Sequence, residues 1–225
     1  MGIGATMTIK TGKLIAIAGL EGASKSTSII TIEKTLQRHG LETLLTREPG
    51  GTPMAEEIRN IHKKERFDNE IISSDTEMML MFASRQQSYE NVVIPALLAG
   101  KTVILDRSHH CSFAYQVFKD KVSAKSTRLE ALFNHLRDHI ESQAQIFETL
   151  FLDIPPDIGL ARARGRGELD RIEKQHLSFF ERARKGYQLL ALQDSFTTIN
   201  ANDTIEAVQA SVEKWAAGLA RRIKQ

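Results

Sequence analysis

The stretch from Lys13 to Gly40, KLIAIAGLEGASKSTSIITIEKTLQRHG, limits how this chain folds more than any other. A short apolar run ends in a glycine, a small-residue loop follows, and Ile29, Ile30, Ile32 and Leu36 then recur at near-helical spacing. That order predicts strand, loop, helix. Inside it, Gly19, Lys25 and Ser26 fit the phosphate-loop pattern G-x-x-x-x-G-K followed by Ser or Thr, whereas Ser24 stands where the second glycine belongs. In such a loop the backbone N–H groups turn toward phosphate, the lysine reaches the outer phosphates and the hydroxyl holds Mg²⁺. A match this relaxed arises by chance about once in ten chains of this length. The flanking strand and helix therefore carry the reading, because the helix N-terminus also faces the anion; an ordinary strand-to-helix turn is the alternative.

The same alternation continues. ETLLTREPGG reads as a second strand entering a Pro/Gly turn, KTVILDRS as a third, buried strand ending at Asp106, IFETLFLDIPP as a fourth and FTTINAND as a fifth. Helices are predicted from about Asp75 to Leu98 and from about Thr204 to Ile223. Strands alternating with helices imply an α/β fold with a parallel sheet covered on both faces and a ligand site at the carboxyl ends of its strands. A chain of 225 residues, 41% hydrophobic, suffices for one such domain. Residues 1–12 read as a loose tail and 13–225 as a single domain. Thirty basic against twenty-eight acidic residues leave a net charge of +2, which argues against nucleic-acid or membrane binding. Cys111 is the single cysteine, and no secretory h-region or membrane-spanning run is evident, so a cytoplasmic protein is expected. His109 and His110 lack a metal-ligand constellation and read as polar loop residues.

Taken together, the motifs resemble the thymidylate kinase family, in its bacterial form, from Leu14 to the last helix. The resemblance implies a P-loop nucleoside monophosphate kinase fold with a five-stranded parallel sheet flanked by helices. It also implies transfer of the ATP γ-phosphate to dTMP, with Mg²⁺ as cofactor, by a homodimer. TREPGGT, Thr46 to Thr52, is the most specific match. Arg47, at a strand end beside a rigid turn, suits the clamping of an acceptor phosphate. In LDRS, two charges end a buried strand. The resemblance has Asp106 serve near Mg²⁺ and Arg107 bridge phosphates. It gives Gly19, Gly22, Ala23, Ser24, Lys25, Ser26 and Thr27 to ATP, with Ser26 and Asp106 on the metal, and places Glu21 toward the sugar 3′-hydroxyl.

FASRQQSYENVVIPAL resembles the helix carrying an aromatic stacker for thymine and an arginine for its carbonyl edge. Arg85 matches the arginine. The register puts Met81 at the aromatic position and Phe82, taken as the stacker, one residue later. SFAYQ supplies Ser112 and Gln116 near the base and Tyr115 as the gate against ribose. Where many members continue with glycines and an arginine, this chain has VFKDKVSAK. ARARGRGELDRIE, within a lid of about 161–173, supplies Arg162, Arg164, Arg166 and Arg171. Arg166, flanked by glycines, is the choice for the transferred phosphate, and Arg162 for ATP; a mobile arginine there stabilises charge on the equatorial oxygens. Ala18 stands where members commonly carry glutamate. Two alternatives stay open: a kinase for dUMP or a modified pyrimidine, suggested by Met81, and a nucleotide-binding protein without catalysis, suggested by Ala18 and Ser24.

Overall fold

The computed structural model describes residues 12–63, 72–118, 124–165, 172 and 174–225, with only the backbone of 124–126. Five strands form one sheet: β1 (Leu14–Gly19), β2 (Thr43–Arg47), β3 (Thr102–Asp106), β4 (Ile146–Asp153) and β5 (Phe196–Asn200). Their order is β2-β3-β1-β4-β5 and every pairing is parallel, which bears out the α/β expectation. The helices are α1 (Lys25–Arg38), α2 (Pro53–Lys63), α3 (Ser74–Ser88), α4 (Ile94–Leu98), α5 (His109–Ser112), α6 (Ala124–Glu141), α7 (Pro156–Arg164), α8 (Leu177–Leu190) and α9 (Ile205–Lys224). Of the expected lid, residues 166–171 and 173 lie outside the described residues, as do residues 1–11 of the expected tail.

β1 shows why both faces are covered. Successive strand side chains point to opposite faces. Leu14 and Ala16 join Met78, Phe82, Tyr89 and Phe133 on one side, while Ile15 and Ile17 join Ile29, Ile32, Leu36 and residues of α8 and α9 on the other. All six β1 residues are buried. A central strand closed in from both sides is what a near-continuous apolar run specifies.

β1 lies between β3 and β4, so the chain leaves it toward both halves of the sheet and a crevice opens at its carboxyl end. The register aligns Ile17 with Asp106, and Asp106 with Arg47, so the charged ends of β2 and β3 stand beside the loop after β1. The long helix expected from Asp75 to Leu98 is present with one irregularity. A π-helical turn, Tyr89–Val93, joins α3 to α4, and the N–H of Ile94 reaches back to Tyr89 O. Pro95 follows and has no N–H to offer, a condition under which a widened turn relieves the helix.

Two glycines let the β1–α1 loop press onto α7. Gly22 has φ 73°, and a Cβ there would meet Gly159 O at 2.1 Å; a Cβ on Gly159 would meet Glu21 O at 2.5 Å. Backbone approaches backbone with no room for a methyl group. The change Gly159→Ala is therefore expected to destabilise the protein by about 1–3 kcal/mol through overpacking. Urea unfolding measures it, and an unchanged midpoint would show the contact to be loose.

Candidate active site

The loop after β1 ends in Ser24, which has φ 62° and ψ 26° and caps α1 without a side-chain hydrogen bond. The serine thus adopts the left-handed conformation of the glycine it replaces, at a cost of roughly 1–2 kcal/mol. Helix α1 begins at Lys25, so Lys25 and Ser26 lie within its first turn. Lys25 Nζ folds back and donates to Gly19 O (3.0 Å) and Leu20 O (2.7 Å). Removal from water, then the neighbouring Arg107, lower its pKa to about 8, against the opposing pull of Glu21 and Asp106.

A cavity of about 390 Å³ opens in front of the loop. Its centre is a buried charge pair: Arg107 Nη2 donates to Glu21 Oε1 (2.8 Å), and Tyr115 Oη donates to Glu21 Oε2 (2.7 Å). Burial alone would raise the Glu21 pKa, but Arg107, Lys25 and the Tyr115 hydroxyl outweigh it and hold the carboxyl below its usual range. Burial and the Glu21 charge push the Tyr115 phenol up, so it stays neutral and donates. Arg107 is itself left-handed, with φ 72°. Its N–H donates to Ile17 O at 3.0 Å, which anchors the strained turn to β1.

Gly22, Ala23, Ser24, Lys25 and Ser26 line this cavity together with Asp106, Ser112 and Gln116. Arg85 also lines it, held by Glu48: Nε donates to Oε2 at 2.6 Å with both side chains almost fully buried. Other expected residues lie elsewhere. Gly19 contributes its carbonyl to Lys25 and does not line the cavity, and Thr27 sits exposed on α1. Arg47 makes a two-pronged ion pair with Glu56 (3.0 and 2.8 Å) and lines, with Ile30 and Leu45, an apolar groove that adjoins the cavity at Ser26 and Asp106. Ala18 is fully buried in the core. Arg162 donates to Ala201 O (2.8 Å) and Asp203 O (3.3 Å), tying α7 to the turn after β5; Arg164 is exposed. Arg166 and Arg171 lie outside the described residues.

Two neighbours on α3 part company at the cavity wall. Met81 lines the cavity, whereas Phe82 turns into the core against Phe133 (6.0 Å, edge-on) beneath the Arg85 guanidinium (4.4 Å). Phe82 thus supports Arg85 from behind. Sequence reasoning missed Glu48, Arg59, His62 and Cys111 in the lining. Arg59, which also donates to Pro49 O (2.9 Å), sits one residue after Ile58 on α2, where Ala55, Ile58 and His62 mark the buried stripe. That helical period was the signal available. His109 and His110 are not loop residues: they form the start of α5 and are buried at 1% and 8% exposure. Burial first of all keeps both imidazoles neutral, with the His109 pKa lowered to about 3.

For Mg²⁺ the donor set fits. Asp106 Oδ1 is buried without a hydrogen-bond partner among the described residues, and Ser26 and Asp106 line the same cavity, giving a carboxylate and a hydroxyl suited to a hard cation. Among the described residues no cluster of three or more His, Cys, Asp or Glu offers a protein-only metal cage, and no helix is long and apolar enough to cross a membrane.

A parallel sheet of order 2-3-1-4-5, a lysine in the first turn of α1 after a glycine-bearing loop, and Arg59, Arg85 and Arg107 around one cavity are the features of a P-loop nucleoside monophosphate kinase. Comparison with known proteins narrows this further. A family model described as Thymidylate kinase matches residues 17–212. The thymidylate kinase of Vibrio vulnificus (strain YJ016) is 48% identical over 202 residues, 89% of this chain and 92% of that protein. Those of Vibrio campbellii (45% over 209 residues, 90% and 96%) and Colwellia psychrerythraea (44% over 211 residues, 93% and 96%) are similar across nearly their whole lengths. The chain belongs to the thymidylate kinase family.

The division at the cavity wall is open to test. Met81→Phe is expected to lower the KM for a pyrimidine monophosphate about three- to tenfold, the worth of a good ring contact. Phe82→Leu should lower Tm while leaving that KM within about twofold. The reverse pattern would make Phe82 the base contact.

Proposed function

We propose that this protein transfers the γ-phosphate of ATP to dTMP, giving dTDP. The observation that carries this reading is the meeting of Lys25, the Glu21–Arg107–Tyr115 set and the Glu48–Arg85 pair in one cavity. Phosphoryl transfer asks little covalent chemistry of a protein, and positioning with charge stabilisation does most of the work. Lys25 and the N–H groups of the 19–26 loop take the β- and γ-phosphates. Arg107, fixed by Glu21, and Arg59 hold the acceptor phosphate in line; Arg47, paired with Glu56 in the adjoining groove, is the weaker candidate for that task. Glu21 also accepts from the sugar 3′-hydroxyl, since each oxygen keeps a free lone pair. Tyr115 limits space at the 2′ position. Arg85 donates to the carbonyl edge of the base, flanked by Ser112 and Gln116.

Mg²⁺ would be held by Ser26 and Asp106 and would neutralise charge shared between the phosphates. Arg166 is assigned to the transferring group and Arg162 to the donor side. The protein acts as a homodimer in the cytoplasm, without nucleic acid.

A second reading is supported by Met81 in the cavity wall, which gives a thioether where a flat ring would stack: dUMP or a modified pyrimidine deoxynucleotide as acceptor. A non-catalytic role is disfavoured by Asp106, Arg107 and Tyr115, which share the cavity with Lys25 and which nucleotide binding alone does not require. ADP release with ATP, Mg²⁺ and separately dTMP, dUMP, dCMP, dGMP, UMP or no acceptor decides among them. Turnover with dTMP is expected. Turnover with dUMP and none with dTMP would support the second reading, and none with any acceptor would defeat both.

The Lys25 environment yields a pH dependence. Its lowered pKa means that the charge is full below about pH 7 and is lost as pH rises through about 8. Affinity for ATP should thus fall about tenfold between pH 7 and 9, as the protonated fraction drops from roughly nine-tenths to one-tenth. Lys25→Arg should flatten that slope in an ATP titration. A flat profile in the parent protein would show the lysine to be charged throughout.

A further inference from the structure

The histidine pair of α5 has no part in the chemistry above, yet it is buried directly behind the phosphate-holding turn. We propose that His110 is a positioning residue that fixes the Arg107–Ser108 turn, and through it the arginine that grips the acceptor phosphate. Ser108 caps α5, its Oγ accepting from the N–H of His110 at 3.3 Å. The same Oγ lies 3.0 Å from His110 Nδ1. The same Nδ1 also approaches Thr149 Oγ1, in the middle of β4, at 3.4 Å. Whichever ring nitrogen carries the proton, Nδ1 is the atom held between the cap and the sheet.

The ring itself has little freedom. It packs edge-on against Phe196 of β5 (4.7 Å between centroids) and against His109 (4.3 Å), whose Nε2 lies 3.2 Å from Glu141 Oε1. A polar bridge from Thr149 of β4, the His110 ring packed on Phe196 of β5, thus ends one residue beyond Arg107. This location matters because Arg107 has a left-handed backbone that a non-glycine residue holds only when its surroundings determine it. Three attachments do so: its N–H on Ile17 O, its guanidinium on Glu21 and the cap tied down by His110. The first two act on Arg107 itself. The third fixes the direction in which the chain leaves it.

The inference rests on the kinase reading for its kinetic arm and stands apart from it in the other. Three variants are compared with the parent. His110→Leu removes the bridge, His110→Asn keeps a polar atom near the Nδ1 position and His110→Gln moves that atom one bond outward. With the leucine variant, the KM for dTMP is expected to rise about tenfold while the KM for ATP stays within about twofold. Asparagine should restore most of the loss and glutamine little of it. Hydrogen exchange across residues 106–111 is read on the same proteins, and the Arg107 and Ser108 amides should exchange faster in the order Leu, Gln, Asn, parent. If the leucine variant does not fold, the asparagine and glutamine pair decides. A parent without turnover would sink the kinase reading and leave the exchange order to decide this one. Equal loss of dTMP and ATP affinity, asparagine and glutamine indistinguishable, or unchanged exchange would each overturn the proposal.

Discussion

The ion pair between Glu21 and Arg107 is the contact on which the site depends. Each charge alone, in a cavity wall largely cut off from water, would be costly; together, with the Tyr115 hydroxyl on the second carboxylate oxygen, they cancel. Such a pair adds little to stability compared with apolar residues of the same volume, but removing one partner strands the other at a cost of about 3–5 kcal/mol. Its value lies in geometry. It brings the loop after β1 and the turn after β3 to one place, and the remaining site groups are arranged around that join.

Strain gathers at the same join. Ser24 and Arg107 are the non-glycine residues with positive φ among those described, and both border the cavity. Backbone held in so sparse a region persists only where its surroundings leave no alternative, and it concentrates at functional sites. Here the surroundings are the α7 backbone beneath Gly22 and the β1 carbonyl above Arg107. A serine in place of the usual glycine is therefore a small perturbation: one hydroxymethyl group beside a loop whose path is already fixed.

The fold was largely legible because its signals are local. Apolar runs ending in Gly19 and Asp106, and the alternation of strand and helix, depend on periodicity and on nothing distant. Within the loop, Gly19, Lys25 and Ser26 were legible from a short local pattern, whereas Glu21 entered only through the family resemblance. What could not be read depends on which way a side chain turns. Met81 and Phe82 are adjacent on one helix, and only the packing of Phe133 decides that the phenylalanine faces inward. Arg47 read as a phosphate clamp at a strand end, and the sequence does not show that Glu56, nine residues on, holds it. The two histidines read as polar because the sequence does not show that β4 and β5 close over them.

The Glu48–Arg85 pair carries a consequence for how this protein changes over evolutionary time. Arg85 lines the cavity, yet its Nε is committed to a carboxylate that is buried as deeply as itself. Replacing the arginine alone leaves Glu48 without its counter-charge, and burial already raises the pKa of that carboxyl. Replacing Glu48 first leaves the arginine unheld. Because contacting residues do not act independently, each single step is worse than both together. Change is thus slow at this part of the cavity wall, and Met81, which bears no charge and adapts its shape readily, is where a lineage can vary first.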